Sequence, residues 1–350
     1  MNQVTPDHPH WLSDSDLRLV NILQDSPRAP WASVARVLGA SAPTARRRWR
    51  SITDEGAAWI ASYPGFTWGL LCAIVEVRCR PGSVDEVAAS LRRSPRIVTV
   101  TGLTGDRDLV LTVLTRNMTE FRRLLQNELG RGTDIIGVRS SIVSRMFSEG
   151  SRWRALGAPG GARGLDTTEA QLGNEEPISL AQWRAVLPVL ERNGRASAAE
   201  LATALGSSDG HARRVVNRLL RNGWIQQRVD LSLEQNHWPH ALALWMVVPA
   251  ARLEDTAASI AKLSMTRLCA GLAGGTSNLY VIVWLRDLPE AASIEAQLVR
   301  SLDVRVTDRA ILLHYYKRVG HLFDDNRAHE GFVSWLLPEE LEPAAPGSLS

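Results

Sequence analysis

Residues 40–52, ASAPTARRRWRSI, gather Arg46, Arg47, Arg48 and Arg50 with Ser41, Thr44 and Ser51 around Trp49, and no carboxylate follows before Asp54. Guanidinium groups at that density suit phosphate and guanine, because the planar fork donates two parallel hydrogen bonds. Read as a helix, the segment puts Ala45, Trp49 and Ile52 on one stripe at i, i+4 and i+7, with Thr44, Arg47, Arg48 and Ser51 turned outward. The tryptophan then belongs to a core and the outward side chains, with Ser41 at the helix start, are candidate DNA contacts.

A basic amphipathic helix taken alone is most often a solvated face. Here the chain repeats it. The segment starting at Pro27 matches the one starting at Gly194 at a constant offset of 167, aligning Arg28 with Arg195, Ala35 with Ala202, Leu38-Gly39 with Leu205-Gly206 and Ala45-Arg46-Arg47 with Ala212-Arg213-Arg214. The second copy places Ala212, Val216 and Leu219 inward and His211, Arg214, Val215 and Arg218 outward, adding Ser208, His211, Arg214, Asn217 and Arg218 to the candidate DNA contacts. Each basic segment follows a capped helix and a glycine turn: Ser13 stands three residues before Asp16, Ser197 three before Glu200, and Gly39 and Gly206 close the preceding helices. Helix, short glycine turn and helix make a helix-turn-helix. Pro188, inside the first helical pattern of the second copy, is expected to kink that helix or mark its start.

Behind each helical half, strands alternate with helices. GLLCAIVEVRC, SVDEVAASLRRS, RIVTVTGL, DLVLTVLT, MTEFRRLLQNEL and IIGVRSSIVSRMF read as βαββαβ, and ALALWMVVP, LEDTAASIAKL, RLCAGL, NLYVIVWL, PEAASIEAQLV and AILLHYY repeat the order. That order describes a ferredoxin-like unit. The expected class is therefore α+β, in two tandem modules, each a winged helix-turn-helix followed by a ferredoxin-like βαββαβ domain. Boundaries fall at 10–62 and 66–150 for the first module, 178–230 and 238–320 for the second. Residues 151–177, rich in Gly and Pro, read as a linker able to span roughly 25 to 30 Å, and 321–350, ending acidic and Pro-rich, as a flexible tail.

At 350 residues and 45% hydrophobic content the chain can build more than one core. Its formal charge of +3 permits a polyanionic partner without demanding one, so the local arginines decide. Cys72, Cys79 and Cys269 form no CxxC pair and are expected to be free thiols in a reducing cytoplasm. The longest apolar run, ALALWMVVPAA, is too short for a bilayer span, and the N-terminus lacks a secretory pattern, so a soluble cytoplasmic protein without membrane association is expected.

The order helix-turn-helix then βαββαβ resembles the Lrp/AsnC family of regulators. Its opening pattern is similar to Leu12, Asp16, Leu19-Val20, Leu23-Gln24-Asp25 and Arg28. Its L-A-x-x-x-G-x-S pattern is similar to Val34-Ala35, Gly39 and Ser41, and again to Leu201-Ala202, Gly206 and Ser208. Arg214, Asn217-Arg218-Leu219, Gly223 and Ile225 resemble its helix-turn-helix ending, and Gly105, Asp106 and Asp108 its G-D-x-D turn. The resemblance implies double-stranded DNA as partner, sheet-to-sheet pairing of the ferredoxin-like domains, here as a pseudo-dimer within one chain with further homo-oligomers expected, and an amino-acid-like effector. Gly105, Asp106, Arg107 and Asp108 become candidate ligand residues, with the carboxylates for an ammonium and Arg107 for a carboxylate. The second turn offers Gly274, Gly275 and Thr276 without any acid, so the two sensors are expected to be unequal.

No catalytic, metal or cofactor motif stands out. His237 and His240 have no acid at metal-ligand spacing, and a non-enzyme without cofactors is expected. The alternative is an enzyme: siroheme decarboxylases share this architecture, and SNLYVIVWL is similar to their strand after the sensor turn. Their sites use histidine and arginine near that turn, where this chain has Arg107 alone.

Overall fold

The computed structural model describes residues 12–65, 68–130, 133–156, 179–232, 237–324 and 329–335. Most of the expected linker and the end of the expected tail lie outside the described residues.

The first head consists of α1 (Asp14–Asp25), α2 (Trp31–Leu38), α3 (Ala42–Asp54) and the wing strand β1 (Ala58–Pro64). Ser13 and Asp16 cap α1 reciprocally, and Gly39 ends α2 at φ 70°, a left-handed conformation that disfavours any side chain with a Cβ. Later in the chain α6 (Leu180–Arg192), α7 (Ala198–Leu205), α8 (Asp209–Arg221) and β6 (Ile225–Leu231) repeat the plan. Pro188 does not mark the start of α6. The helix begins behind a capping box of Ser179 and Gln182 and runs through the proline.

The heads are joined to each other. The wings pair antiparallel from Ala58 opposite Leu231 to Pro64 opposite Ile225, giving one two-stranded sheet with a strand from each head. Beside it, Arg28 donates to the carbonyls of Gly194 and Ala196 at 2.6 and 2.8 Å, and Arg195 donates back to Pro27 and Ala29 at 2.5 and 2.6 Å. Arg195 also stacks 4.0 Å over Trp31. The two arginines aligned by the repeat thus bind each other's loops.

The first sensor unit runs β2 (Leu71–Cys79), α4 (Val84–Leu91), β3 (Ile97–Leu103), β4 (Leu109–Thr115), α5 (Met118–Leu124) and β5 (Ile135–Ser148). The second runs β7 (His240–Val247), α9 (Leu253–Ala261), β8 (Thr266–Ala273), β9 (Leu279–Leu285), α10 (Glu290–Leu302) and β10 (Arg305–Arg318). Both have the expected βαββαβ order. Their sheets do not merely face each other: β5 pairs with β2 through Ile142 and then with β8, while β10 pairs with β7 through Ile311 and then with β3. Eight strands close into a ring in the order β3-β4-β2-β5-β8-β9-β7-β10 and back to β3. Helices α4 and α5 cover one sheet outside, α9 and α10 the other.

Residues 321–324 and 329–335 correct the expected tail. β11 (His321–Phe323) and β12 (His329–Phe332) extend the sheet from β10, and Trp335 is buried against Tyr63, Val98 and Val319. Apolar side chains at Leu322, Phe323, Phe332 and Trp335 outweigh the acidic composition further on. Glu191 of α6 receives this segment, accepting from Ser334 Oγ at 2.6 Å and from the Trp335 amide at 3.0 Å.

Asp230 on β6 ties head to ring. Its side chain has no exposed surface and accepts from Arg228 Nε at 3.0 Å, from Arg318 Nη2 at 3.0 Å and from Arg267. Arg318 also donates to the Leu231 carbonyl and Arg267 to that of Gly150. Burial alone would raise the Asp230 carboxyl, but Arg228, Arg318 and Arg267 overcome it and hold it well below the usual range.

Two predictions follow from these carboxylates. Asp230→Asn leaves three guanidiniums short of a counter-charge and is expected to cost on the order of 3 to 5 kcal/mol in urea denaturation. Because the folded pKa is depressed, the Asp230 contribution is complete above about pH 4 and is lost as the solution is acidified further. Glu191 is the opposite case: burial lifts it to about 7, against the Ser334 and Trp335 hydrogen bonds, so its contribution is complete in acid and lost as pH rises through 7. Glu191→Gln should flatten the thermal stability profile between about pH 4.5 and 7, the free and raised values, and exceed the parent at the alkaline end of that range.

Candidate nucleic-acid and effector sites

On α3, Ala45, Trp49 and Ile52 are buried, so Trp49 is a core residue as its spacing indicates. The Ser41 hydroxyl caps the helix, accepting from the Thr44 amide at 3.2 Å and sharing a hydrogen bond with the Thr44 hydroxyl at 2.8 Å. Arg47 and Ser51 are exposed, and Ser51 donates to Glu55 at 2.7 Å. Arg48 is half-buried and donates to Ser15 on α1 at 2.8 Å. Arg46 and Arg50, not among the expected contacts, are exposed.

On α8 the Ser208 hydroxyl likewise caps the helix, toward the His211 amide. Arg213, Arg214 and Asn217 are exposed, His211 and Arg218 half-buried. Val215 corrects the sequence reading: expected outward, it is 1% exposed, because Ala212, Val215, Val216 and Leu219 together form the buried stripe. Arg213, the exposed neighbour of Arg214, was missed because a single narrow outward stripe was assumed.

The hairpin turns place their residues unevenly. Gly105 and Asp106 are exposed, Gly105 at φ 93°, and Asp108 accepts from the Cys79 amide at 2.7 Å. In the second turn Asn278 does the same work, accepting from the Val248 amide at 2.9 Å. Arg107 turns inward. It lies between Glu76 at 2.7 Å and Asp308 at 2.8 Å, stacked 4.0 Å over Trp245. Its guanidinium, expected to meet a ligand carboxylate, is already engaged by two carboxylates.

Arg107 of the first turn and Gly275 and Thr276 of the second line one cavity of about 430 Å³, with Glu76, Arg139, Ser140, Ser277 and Asp308. Gly105, Asp106, Asp108 and Gly274 do not line it; the Gly274 carbonyl accepts from Ser141 instead. Residues of both turns therefore meet in one cavity. Glu76 and Asp308, its carboxylates, were missed because they stand on β2 and β10, far from either turn in sequence. Among the described residues, no group of three or more His, Cys, Asp or Glu is placed to hold a metal, and no helix is long and apolar enough to cross a membrane. Cys72, Cys79 and Cys269 are free.

Arg107→Ala should leave Glu76 and Asp308 without their counter-ion and lower stability by roughly 1.5 to 3 kcal/mol, whereas Asp106→Ala, at an exposed turn, should stay within about 0.5 kcal/mol. Parallel urea titrations check the contrast.

Comparison with known proteins fits this layout. Residues 72–153 match the model of the Lrp/AsnC ligand binding domain, 12–51 that of the AsnC-type helix-turn-helix domain and 184–226 that of winged helix-turn-helix DNA-binding. The HTH-type transcriptional regulator FL11 of Pyrococcus horikoshii is 28% identical over 142 residues, covering 39% of this chain and 93% of that protein. Ptr1 of Methanocaldococcus jannaschii, also an HTH-type transcriptional regulator, is 26% identical over 39% of this chain and 95% of its own length. Across 86% of the chain and 91% of the other protein, the fold is similar to the crystal structure of the siroheme decarboxylase NirDL, with a TM-score of 0.53 at 15% identity.

Proposed function

We propose that this chain, which belongs to the Lrp/AsnC family, is a DNA-binding transcriptional regulator carrying both half-site readers in one polypeptide and sensing a small amino-acid-like effector. The observation that carries the reading is the pair of arginine-bearing helices, α3 and α8, on heads joined by paired wings and the Arg28–Arg195 exchange. Arg47 and Ser51 would read one half-site and Arg214 and Asn217 the other. Because the two sets differ, an asymmetric operator is the natural partner. Ser41 and Ser208 would serve mainly as caps that aim their helices.

The effector would occupy the shared 430 Å³ cavity, whose volume falls in the range of roughly 300 to 1,000 Å³ for small-molecule sites. Asp308, half-exposed on its wall, would meet an ammonium and Arg139 a carboxylate. Further association of the pseudo-dimer belongs to the same proposal and is read by sedimentation.

An enzyme of the decarboxylase type is the second reading, favoured by one observation: Arg228, Arg267 and Arg318 line a cavity between the wings and the sensor ring. A polycarboxylate needs such charge. The cavity, about 160 Å³, is smaller than sites for drug-sized molecules, which begin at roughly 300 Å³, so it would have to open to admit a tetrapyrrole. A visible absorption band of the purified protein would reinstate this reading.

Fluorescence anisotropy on labelled DNA from the flank of the protein's own gene, against a shuffled fragment and across a salt series, tests the regulator. Tight binding to the flank alone with a steep salt slope is expected. Arg47→Ala and Arg214→Ala should each weaken a different half-site by roughly 1 to 3 kcal/mol. Equal, weak binding to both fragments would remove the reading.

A further inference from the structure

The 160 Å³ cavity has a chemistry of its own. Its lining comes from both wings, both sensor sheets and the C-terminal segment, through Tyr63, Arg228, Val110, Ile282, Arg318 and Trp335 among others. Most of this wall is apolar, and one end is not. There Arg228, Arg267 and Arg318 face Asp230 and Glu149, three guanidiniums against two carboxylates. Aromatic faces lie near all three cations, Tyr63 5.8 Å from Arg228, Trp284 4.9 Å from Arg267 and Tyr315 4.9 Å from Arg318, but rings bring no formal charge. One positive charge is left in excess in a place removed from water, where an uncompensated ion is strongly unfavourable. The Tyr280 hydroxyl, on a side chain 1% exposed, also lines the cavity and finds no hydrogen-bond partner among the described residues. The excess charge asks for an acceptor carrying one negative charge, and the Tyr280 hydroxyl for a hydrogen-bond partner.

Volume limits what can carry it. A dry cavity of roughly 150 Å³ holds benzene, so the space admits an apolar body of about that size with a small charged group at the arginine end. The geometry points to a binding site for a small monocarboxylate with an apolar aromatic or branched body, distinct from the effector cavity at the sensor turns. Its carboxylate takes the excess charge of Arg228, Arg267 and Arg318, and its body packs on Val110, Leu268 and Ile282.

The experiment uses the full chain and four probes: benzoate, 3-methylbutanoate, hexanoate and the neutral benzamide. Thermal unfolding and titration calorimetry are expected to show a dose-dependent rise in Tm and saturable heat with at least one of the three carboxylates, and neither with benzamide at the same concentrations. Ile282→Trp and Val110→Phe fill the cavity without touching the charged cluster, and each should abolish the response. No response to any carboxylate overturns the proposal, and so does an equal response to benzamide. A response that survives in a folded filled-cavity variant places binding elsewhere and also overturns it. The comparison of the three carboxylates with benzamide on the parent chain decides the matter even where a variant fails to fold.

Discussion

A carboxylate with no exposed surface, Asp230, sits where a wing of the second head meets the sensor ring, and three guanidiniums close around it. Such a cluster is not a simple source of stability, since desolvating four charged groups offsets much of their attraction. Its effect is on arrangement. Arg228 comes from β6, Arg267 from β8 and Arg318 from β10, so the charges can be matched only when head and ring are correctly docked. Arg318 and Arg267 also hold the Leu231 and Gly150 carbonyls, which extends the same requirement to the end of β6 and to the segment after β5. Misplaced packing would strand buried charge, a larger penalty than the loss of an apolar contact.

The heads show the same logic with weaker forces. Arg28 and Arg195 satisfy carbonyls in each other's loops, and the wings satisfy each other's backbone along their length. These interactions are reciprocal because the sequence is. A duplicated gene product meets itself across a pseudo-twofold axis, so one residue type at one repeat position is used twice. Where the copies diverge, the symmetry is given up: Asp108 and Asn278 still hold equivalent amides, but only the first turn contributes an arginine, and it reaches across to Trp245 and Asp308 of the second unit.

Local rules made the elements readable. Capping residues, glycine turns and apolar periodicity give helices and strands from a few neighbouring residues, and the 167-residue register reveals the duplication. Val215 went astray although its i+4 relation to Leu219 was visible, because the outward stripe was placed one flank too far round the helix, taking in Val215 and leaving out Arg213. The closed ring was harder to see. β5 and β10 each have 14 residues, far beyond an average strand of about 5 to 6; the long run IIGVRSSIVSRMF carried a sign of this for β5, while β10 read only as the seven residues AILLHYY. Nothing in the sequence ties Glu76 to Arg107 or Asp230 to Arg267, since charge partners across a fold carry no periodicity. The exposed faces of the two basic helices were largely legible, because each lies on one short periodic segment, while the cavity at the turns and the buried arginine cluster were not.

Closure of the ring also sets an order of events in time. The edge of β3 receives its partner only from residues 312–318 of β10, about 200 positions further along the chain. At synthesis rates of roughly 5 to 20 residues per second, that edge waits on the order of ten to forty seconds with its backbone unpaired. Open edges of apolar strands recruit other chains, so the first sensor sheet passes through an interval in which its own second half competes with neighbouring nascent copies. The tandem arrangement settles that contest by tethering: the correct strand is already attached, at an effective concentration that a separate subunit would have to match from solution.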